Sequence, residues 1–238
     1  MTMTHYAPYY KYGVLSFLKL RRTSNIKEDV MSSTNGAAAT IRENRSSRIR
    51  TVCGVAMLSA VAYVLMFLEF PLPMIMPSFI KMDFSDLPAL IASFAYGPLA
   101  GVAVCLIKNV IHLMNTQSAA VGELSNFILG AIFVTIAGIV YRRAHTKRGA
   151  VLGATVGALV MAFGSLVSNY YVVYPIYTNF MPMEAIIGAY KMILPSVDSL
   201  WQCLLVFNVP FTFFKGMCSV LITFLIYKPL SPILKGNR

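Results

Sequence analysis

Long apolar runs separated by short charged segments constrain this chain more than any other feature. They fall at about residues 51–70, 87–107, 121–141, 150–174 and 202–227. A helix of roughly 20 such residues crosses the hydrocarbon core of a bilayer. It also satisfies its own backbone there, which an isolated strand or loop cannot do. A transmembrane β-barrel needs many alternating segments of about ten residues, and these unbroken runs do not fit that pattern. Hydrophobic residues make up 57% of the 238, and charged residues only 12%. The charged share is about half that of a soluble domain. An ordinary soluble enzyme and a disordered chain are both excluded, and the length leaves no room for a large soluble domain beside the spans. The expected fold class is all-α, integral to the lipid bilayer and multi-pass.

The net charge of +11 is placed by topology rather than by nucleic acid, because the basic residues lie outside the apolar runs. Residues 1–48 read as a basic, flexible cytoplasmic extension, with a start at Met31 as the alternative; 49–232 read as the membrane domain, and 233–238 as a basic tail. The run 87–107 is ambiguous because Gly97-Pro98 interrupts it. As one span it gives five helices and leaves the basic loop at 142–148 outside. As two it gives six transmembrane helices, and both termini and that loop become cytoplasmic. The positive-inside rule favours six. Two long segments then lie outside. The first, 71–86, contains Pro71, Pro73 and Pro77, which exclude a regular helix and imply a long structured outer loop. The second, 175–201, contains a short helix at about 184–191.

Polar residues at membrane depth are the candidate functional groups. Lys215 lies midway along the last run, where a lysine costs roughly 2.5–3.5 kcal/mol on insertion scales. It must face a cavity or a buried partner. Lys108, Asn109 and His112 share part of one helical face, and Lys108 has Asp83, Asp86 or Glu123 as possible ion-pair partners. Asn126 and Asn169 each offer an amide donor and acceptor, for a ligand or for a neighbouring helix. Asp83 and Asp86 sit just before Leu87-Pro88, where capping the next helix is the simpler role. Tyr170, Tyr171, Tyr174, Tyr177 and Trp201 cluster at one level, as an interfacial belt or as a wall for a planar ligand. The four cysteines read as small core residues. Ala56 and Ala60, four apart on the first span, allow close approach of another helix. No Walker A loop, catalytic triad or metal-ligand spacing is apparent. The chain is not expected to hydrolyse ATP by itself, and neither catalysis, a metal nor a cofactor is expected of it.

The run from Phe70-Pro71-Leu72-Pro73 through Pro77-Ser78-Phe79-Ile80-Lys81-Met82-Asp83-Phe84-Ser85-Asp86-Leu87-Pro88 resembles the signature of riboflavin-specific S components of energy-coupling factor (ECF) vitamin transporters. Gly97-Pro98-Leu99-Ala100-Gly101, Lys108-Asn109 with His112, Gly122-Glu123-Leu124-Ser125-Asn126-Phe127, Asn169-Tyr170 and Phe214-Lys215-Gly216 continue it in order. The resemblance implies a six-helix S component of the cell membrane that binds riboflavin near its outer face. It implies docking on a transmembrane coupling subunit, itself carrying two ATPase subunits, through an Ala-x-x-x-Ala motif matched by Ala56 and Ala60. It places Asn169 and Lys215 at the flavin ring, and tyrosines near 170–177 beside the ring or the ribityl chain. Phe79, Ile80 and Lys81 contribute contacts from the first loop. The family often has asparagine one turn before the lysine; here that position is Thr212, and Asn208 is the compensating candidate. The competing readings are an S component for another vitamin, an integral-membrane enzyme acting on a lipid, or a structural membrane protein.

Overall fold

The computed structural model describes residues 45–116 and 118–235, with side chains as far as Ile226. The proposed extension at 1–48 therefore lies, up to residue 44, outside the described residues, as does the end of the tail at 236–238. The chain divides into two units at Arg50. Residues 45–50 are helical and exposed. From Thr51 onward the chain is one compact helical body.

Seven helices are present among the described residues: α1 (Arg45–Phe67), α2 (Asp86–Tyr96), α3 (Pro98–His112), α4 (Val121–Ala144), α5 (Lys147–Tyr177), α6 (Met183–Lys191) and α7, which starts at Leu200 and runs to Lys235. All of them except α2 and α6 are long and apolar enough to cross a membrane. The break at Gly97-Pro98 is real. Gly97 has φ 108, a left-handed conformation that its missing side chain permits, and Pro98 opens α3 at a position where its absent N–H costs nothing. The sixth helix expected from the sequence thus exists as α2. At 11 residues it spans only about 16 Å, too little to cross alone.

The loop at 68–85 leads into this short helix. The loop itself contains no helix. It turns back on itself through a two-residue antiparallel pairing, with β1 (Phe70–Pro71) against β2 (Lys81–Met82). Met76 and Met82 are buried against Phe211 of α7, so the loop dips into the bundle and delivers Asp86 to its interior. From there α2 runs to Gly97, against which the Arg142 guanidinium packs. Nine of the 11 α2 residues are buried, Asp86 to Phe94 without interruption. It is a central helix wrapped by α3, α4 and α7.

The most extensive helix pairing is between α4 and α5. With no hydrophobic gain between helices in lipid, close backbone approach supplies the packing. Gly153 and Gly157 lie against the carbonyl oxygens of Ala137 and Phe133, where a Cβ at either glycine would come to 2.8 Å. Thr146 caps α5 by accepting from the Gly149 N–H at 3.0 Å, and Ser199 caps α7 by accepting from Gln202 at 3.3 Å. Cys105 and Cys203 are core residues as expected, but Cys53 faces outward from α1.

Both α5 and α7 contain a wide π-helical turn, at Asn169–Val173 and Leu204–Asn208. Each is followed two residues later by a proline, Pro175 or Pro210. A proline ring clashes with the carbonyl four residues back in a regular helix. Widening the turn accommodates that clash: the N–H of Tyr174 bonds Asn169 O, and that of Val209 bonds Leu204 O.

Gly157→Val should lower the thermal midpoint in detergent by several degrees, because overpacking costs about 1–3 kcal/mol. Gly188→Ala, where no atom lies within 4 Å of the added Cβ, should leave the midpoint unchanged.

Candidate functional site

A cavity of about 340 Å³ lies between the first outer loop and helices α3, α4, α5 and α7. That is the size of a small-molecule site. Its wall is mixed, with aromatic and methionine side chains alternating with polar groups.

The cavity rests on a buried charge cluster. Lys108 of α3 donates to Asp86 Oδ1 at 2.6 Å and to Ser85 Oγ at 2.5 Å, with its side chain fully buried. Lys215 of α7 donates to Asp83 Oδ2 at 2.7 Å and to Asn126 Oδ1 of α4 at 3.0 Å. Lys215 also lies 4.0 Å from Asp86 Oδ2. Two lysines and two aspartates thus neutralise one another. The Ser85 N–H donates to Asp83 Oδ1 at 2.8 Å, and the Ser85 hydroxyl donates to the same oxygen. Burial alone would push the Asp83 carboxyl up. The Lys215 and Lys108 ammonium groups outweigh it and hold it below the usual carboxylate range.

This corrects the capping role expected for Asp83 and Asp86. Ser85 stands at the N-cap of α2 without a side-chain cap bond, and both carboxylates are committed to lysines. Lys215, for its part, meets both expectations raised by its depth, a buried carboxylate partner and a cavity. An ammonium has three donors. Asp83 and Asn126 take two, and the third is left for the cavity that Lys215 lines.

A second polar group stands where α3 ends and α4 begins. His112 Nδ1 lies 2.9 Å from Glu123 Oε1, while Thr116 and Ser118 donate to Oε2 at 3.0 and 3.1 Å. Nearer the loop, Lys81 pairs with Glu69 at 2.6 Å, the two being 23% and 18% exposed. All four charged or titratable side chains border the cavity.

The two π turns supply the amides. Asn169 and Asn208 are buried and line the cavity. Asn169 Oδ1 accepts from Ser125 Oγ at 3.2 Å, and Asn208 Oδ1 accepts from Tyr190 OH at 2.7 Å. Of the residues singled out from the sequence, Phe79, Ile80, Lys81, Asn169, Asn208, Thr212 and Lys215 all border this one cavity. Tyr170 does not. It faces outward beside Tyr171, and its ring meets Trp201 edge-on at 5.5 Å. The tyrosine cluster therefore divides: Tyr170, Tyr171 and Trp201 form an outer aromatic patch, while Tyr174 and Tyr177 form part of the cavity wall. Ala56 and Ala60 are both exposed on the outer face of α1.

Sequence reasoning missed the role of Tyr190, and it read Asn126 only as an amide of unassigned purpose. Pro175 and Pro210 were a usable signal, since a proline inside a spanning run marks a place where the helix must widen, and π turns recur at functional sites.

Residues 50–227 match the family model described as "ECF transporter, substrate-specific component". The chain belongs to that family. A Staphylococcus aureus protein named riboflavin transporter RibU is 32% identical over 181 residues, covering 76% of this chain and 90% of its own. A Bacillus subtilis protein named riboflavin transporter FmnP is 33% identical over 194 residues, covering 80% of this chain and 97% of its own. The solved structure described as "Structure and mechanism of the S component of a bacterial ECF transporter" matches with a TM-score of 0.63 and 30% identity, over 79% of this chain and 99% of that one. As an ECF S component, this chain is a multi-pass protein of the plasma membrane with a transport role.

Removing one member of the buried cluster leaves a stranded charge, at a cost of about 3–5 kcal/mol. Lys108→Met or Asp86→Leu alone should therefore strongly reduce folded yield and thermal midpoint. The double variant should recover much of the loss, and a double-mutant cycle on thermal unfolding in detergent measures it.

Proposed function

We propose that this S component binds riboflavin in the cavity below its first outer loop and presents it to an ECF importer. The observation that carries the reading is the cavity itself. It has a lysine donor, two buried amides and an aromatic wall, in a chain about a third identical to proteins named riboflavin transporters. A flavin ring offers a planar apolar surface with an N–H flanked by two carbonyl oxygens. Amides and an ammonium complement such an edge, and aromatic side chains complement the faces. Phe79 and Tyr177, with ring centroids 5.8 Å apart, stand where the loop meets the end of α5 and supply part of that apolar surface.

The site residues of this reading are Phe79, Ile80, Lys81, Asn169, Asn208, Thr212 and Lys215, all of which border the cavity. Thr212 stands one turn before Lys215 and offers a hydroxyl. The outward-facing Tyr170 belongs to the lipid-side patch instead. With the positive-inside assignment, the N-terminus, the loop at 142–148 and the C-terminus are cytoplasmic, and the cavity opens outward. Riboflavin is the cargo rather than a cofactor, and the chain performs no catalysis. The partners are a transmembrane coupling subunit and two ATPase subunits. Ala56 and Ala60 form the small-residue face of α1 that meets the coupling subunit, where their size permits close helix approach.

Purified protein in detergent should quench riboflavin fluorescence saturably at one ligand per chain. Asn169→Ala, which leaves the buried charge cluster intact, should weaken binding about tenfold, the scale of a lost buried hydrogen bond. Tyr170→Ala should leave affinity within about twofold. A folded protein without saturable quenching would overturn the reading.

A further inference from the structure

One buried side chain beside the cavity has no part in its wall. Tyr190 projects inward from α6, the short helix between α5 and α7. It is fully buried and does not border the cavity. Its hydroxyl lies 2.6 Å from that of Tyr174 and donates to Asn208 Oδ1 at 2.7 Å. The ring is clamped between Phe79, edge-on at 6.1 Å, and Phe207 at 5.3 Å.

A lone amide at a cavity wall presents either its oxygen or its nitrogen, and rotation exchanges the two. Here the oxygen is taken from behind by Tyr190. The Nδ2 end is the one Tyr190 leaves unheld, and Asn208 borders the cavity. Burial pushes the Tyr190 phenol well above its usual range, so it remains a donor at physiological pH. With its one hydrogen given to Asn208, the Tyr190 hydroxyl has only its oxygen to offer Tyr174, which makes Tyr174 the donor of that contact and gives one polarity across three elements: α5, α6 and α7. Such chains hold their members in one orientation more firmly than isolated pairs do.

We propose that Tyr190 is a positioning residue that fixes the Asn208 amide with its N–H directed at the ligand, making Asn208 a dedicated donor to a carbonyl oxygen of the bound ring. The proposal rests on the riboflavin reading above. It assigns a binding function to a helix that contributes nothing to the cavity surface. The π turn ending at Asn208 brings that amide to the wall, and Tyr190 decides which of its ends the ligand meets.

The test is a riboflavin titration of the full chain in detergent for wild type, Tyr190→Phe, Asn208→Ala, their double variant and Asn208→Asp. The visible absorption of the bound flavin is recorded at saturation. Tyr190→Phe keeps the ring and its packing, and should weaken binding about 3- to 30-fold, the scale of one buried hydrogen bond. It should also shift the flavin band in the same direction as Asn208→Ala. In the Asn208→Ala background it should add less than about twofold. Asn208→Asp still accepts from Tyr190 but offers the ligand no donor, and should bind as poorly as Asn208→Ala. Three results would overturn the proposal: Tyr190→Phe with unchanged affinity and spectrum, a Tyr190→Phe loss of equal size in the Asn208→Ala background, or Asn208→Asp binding like wild type. In each, wild-type binding leaves the riboflavin reading intact. If wild type itself binds no riboflavin, that reading fails and this proposal falls with it.

Discussion

Two lysine–aspartate pairs buried in the bundle hold this structure together. Lys108–Asp86 and Lys215–Asp83 join α3 and α7 to the end of the outer loop and the start of α2. A single charge at this depth costs several kcal/mol to desolvate, and pairing with hydrogen bonds to the remaining atoms is what makes it tolerable. The cluster is neutral in sum. Ser85 and Asn126 satisfy further lone pairs and donors. The loop therefore cannot lift away from the bundle without exposing charges that have no other partner nearby. This fixes where the loop enters, why α2 is short, and where the floor of the cavity lies.

The same cluster prepares the site. Lys215 is held by two bonds and has a third donor, so in the proposed site it would meet a ligand without reorganising. The amides are prepared differently. Two prolines impose wide turns on α5 and α7, the turns bring Asn169 and Asn208 to the wall, and neighbours on other elements hold each amide oxygen from behind. Preorganised donors of this kind raise affinity mainly by sparing the cost of ordering them on binding.

Much of the fold was legible in the sequence because lipid imposes simple rules. The apolar runs, the break at Gly97-Pro98, the proline-rich loop and the short helix near 184–191 each follow from local chemistry. The site was legible as far as residue type and helix face can carry it. Lys215 was conspicuous because an intramembrane lysine needs a reason. Its partner was not legible, since Asp83 lies 132 residues away in the chain and looks locally like a capping residue. Tyr170 and Tyr174 were indistinguishable in sequence. One π turn separates them, and it turns the second inward and leaves the first facing out. Tyr190 was invisible because its partners, Tyr174 and Asn208, lie on two other elements.

The central claim is that a ligand meets a site whose polar groups are already in place above an intact charge cluster. A crystal structure of the riboflavin complex tests this most directly. The account predicts a flavin ring edge within hydrogen-bond distance of Lys215 and of the Asn208 amide, with Lys215 still bonded to Asp83. A ligand lodged elsewhere, or a Lys215 that has left Asp83 to reach it, would contradict the account.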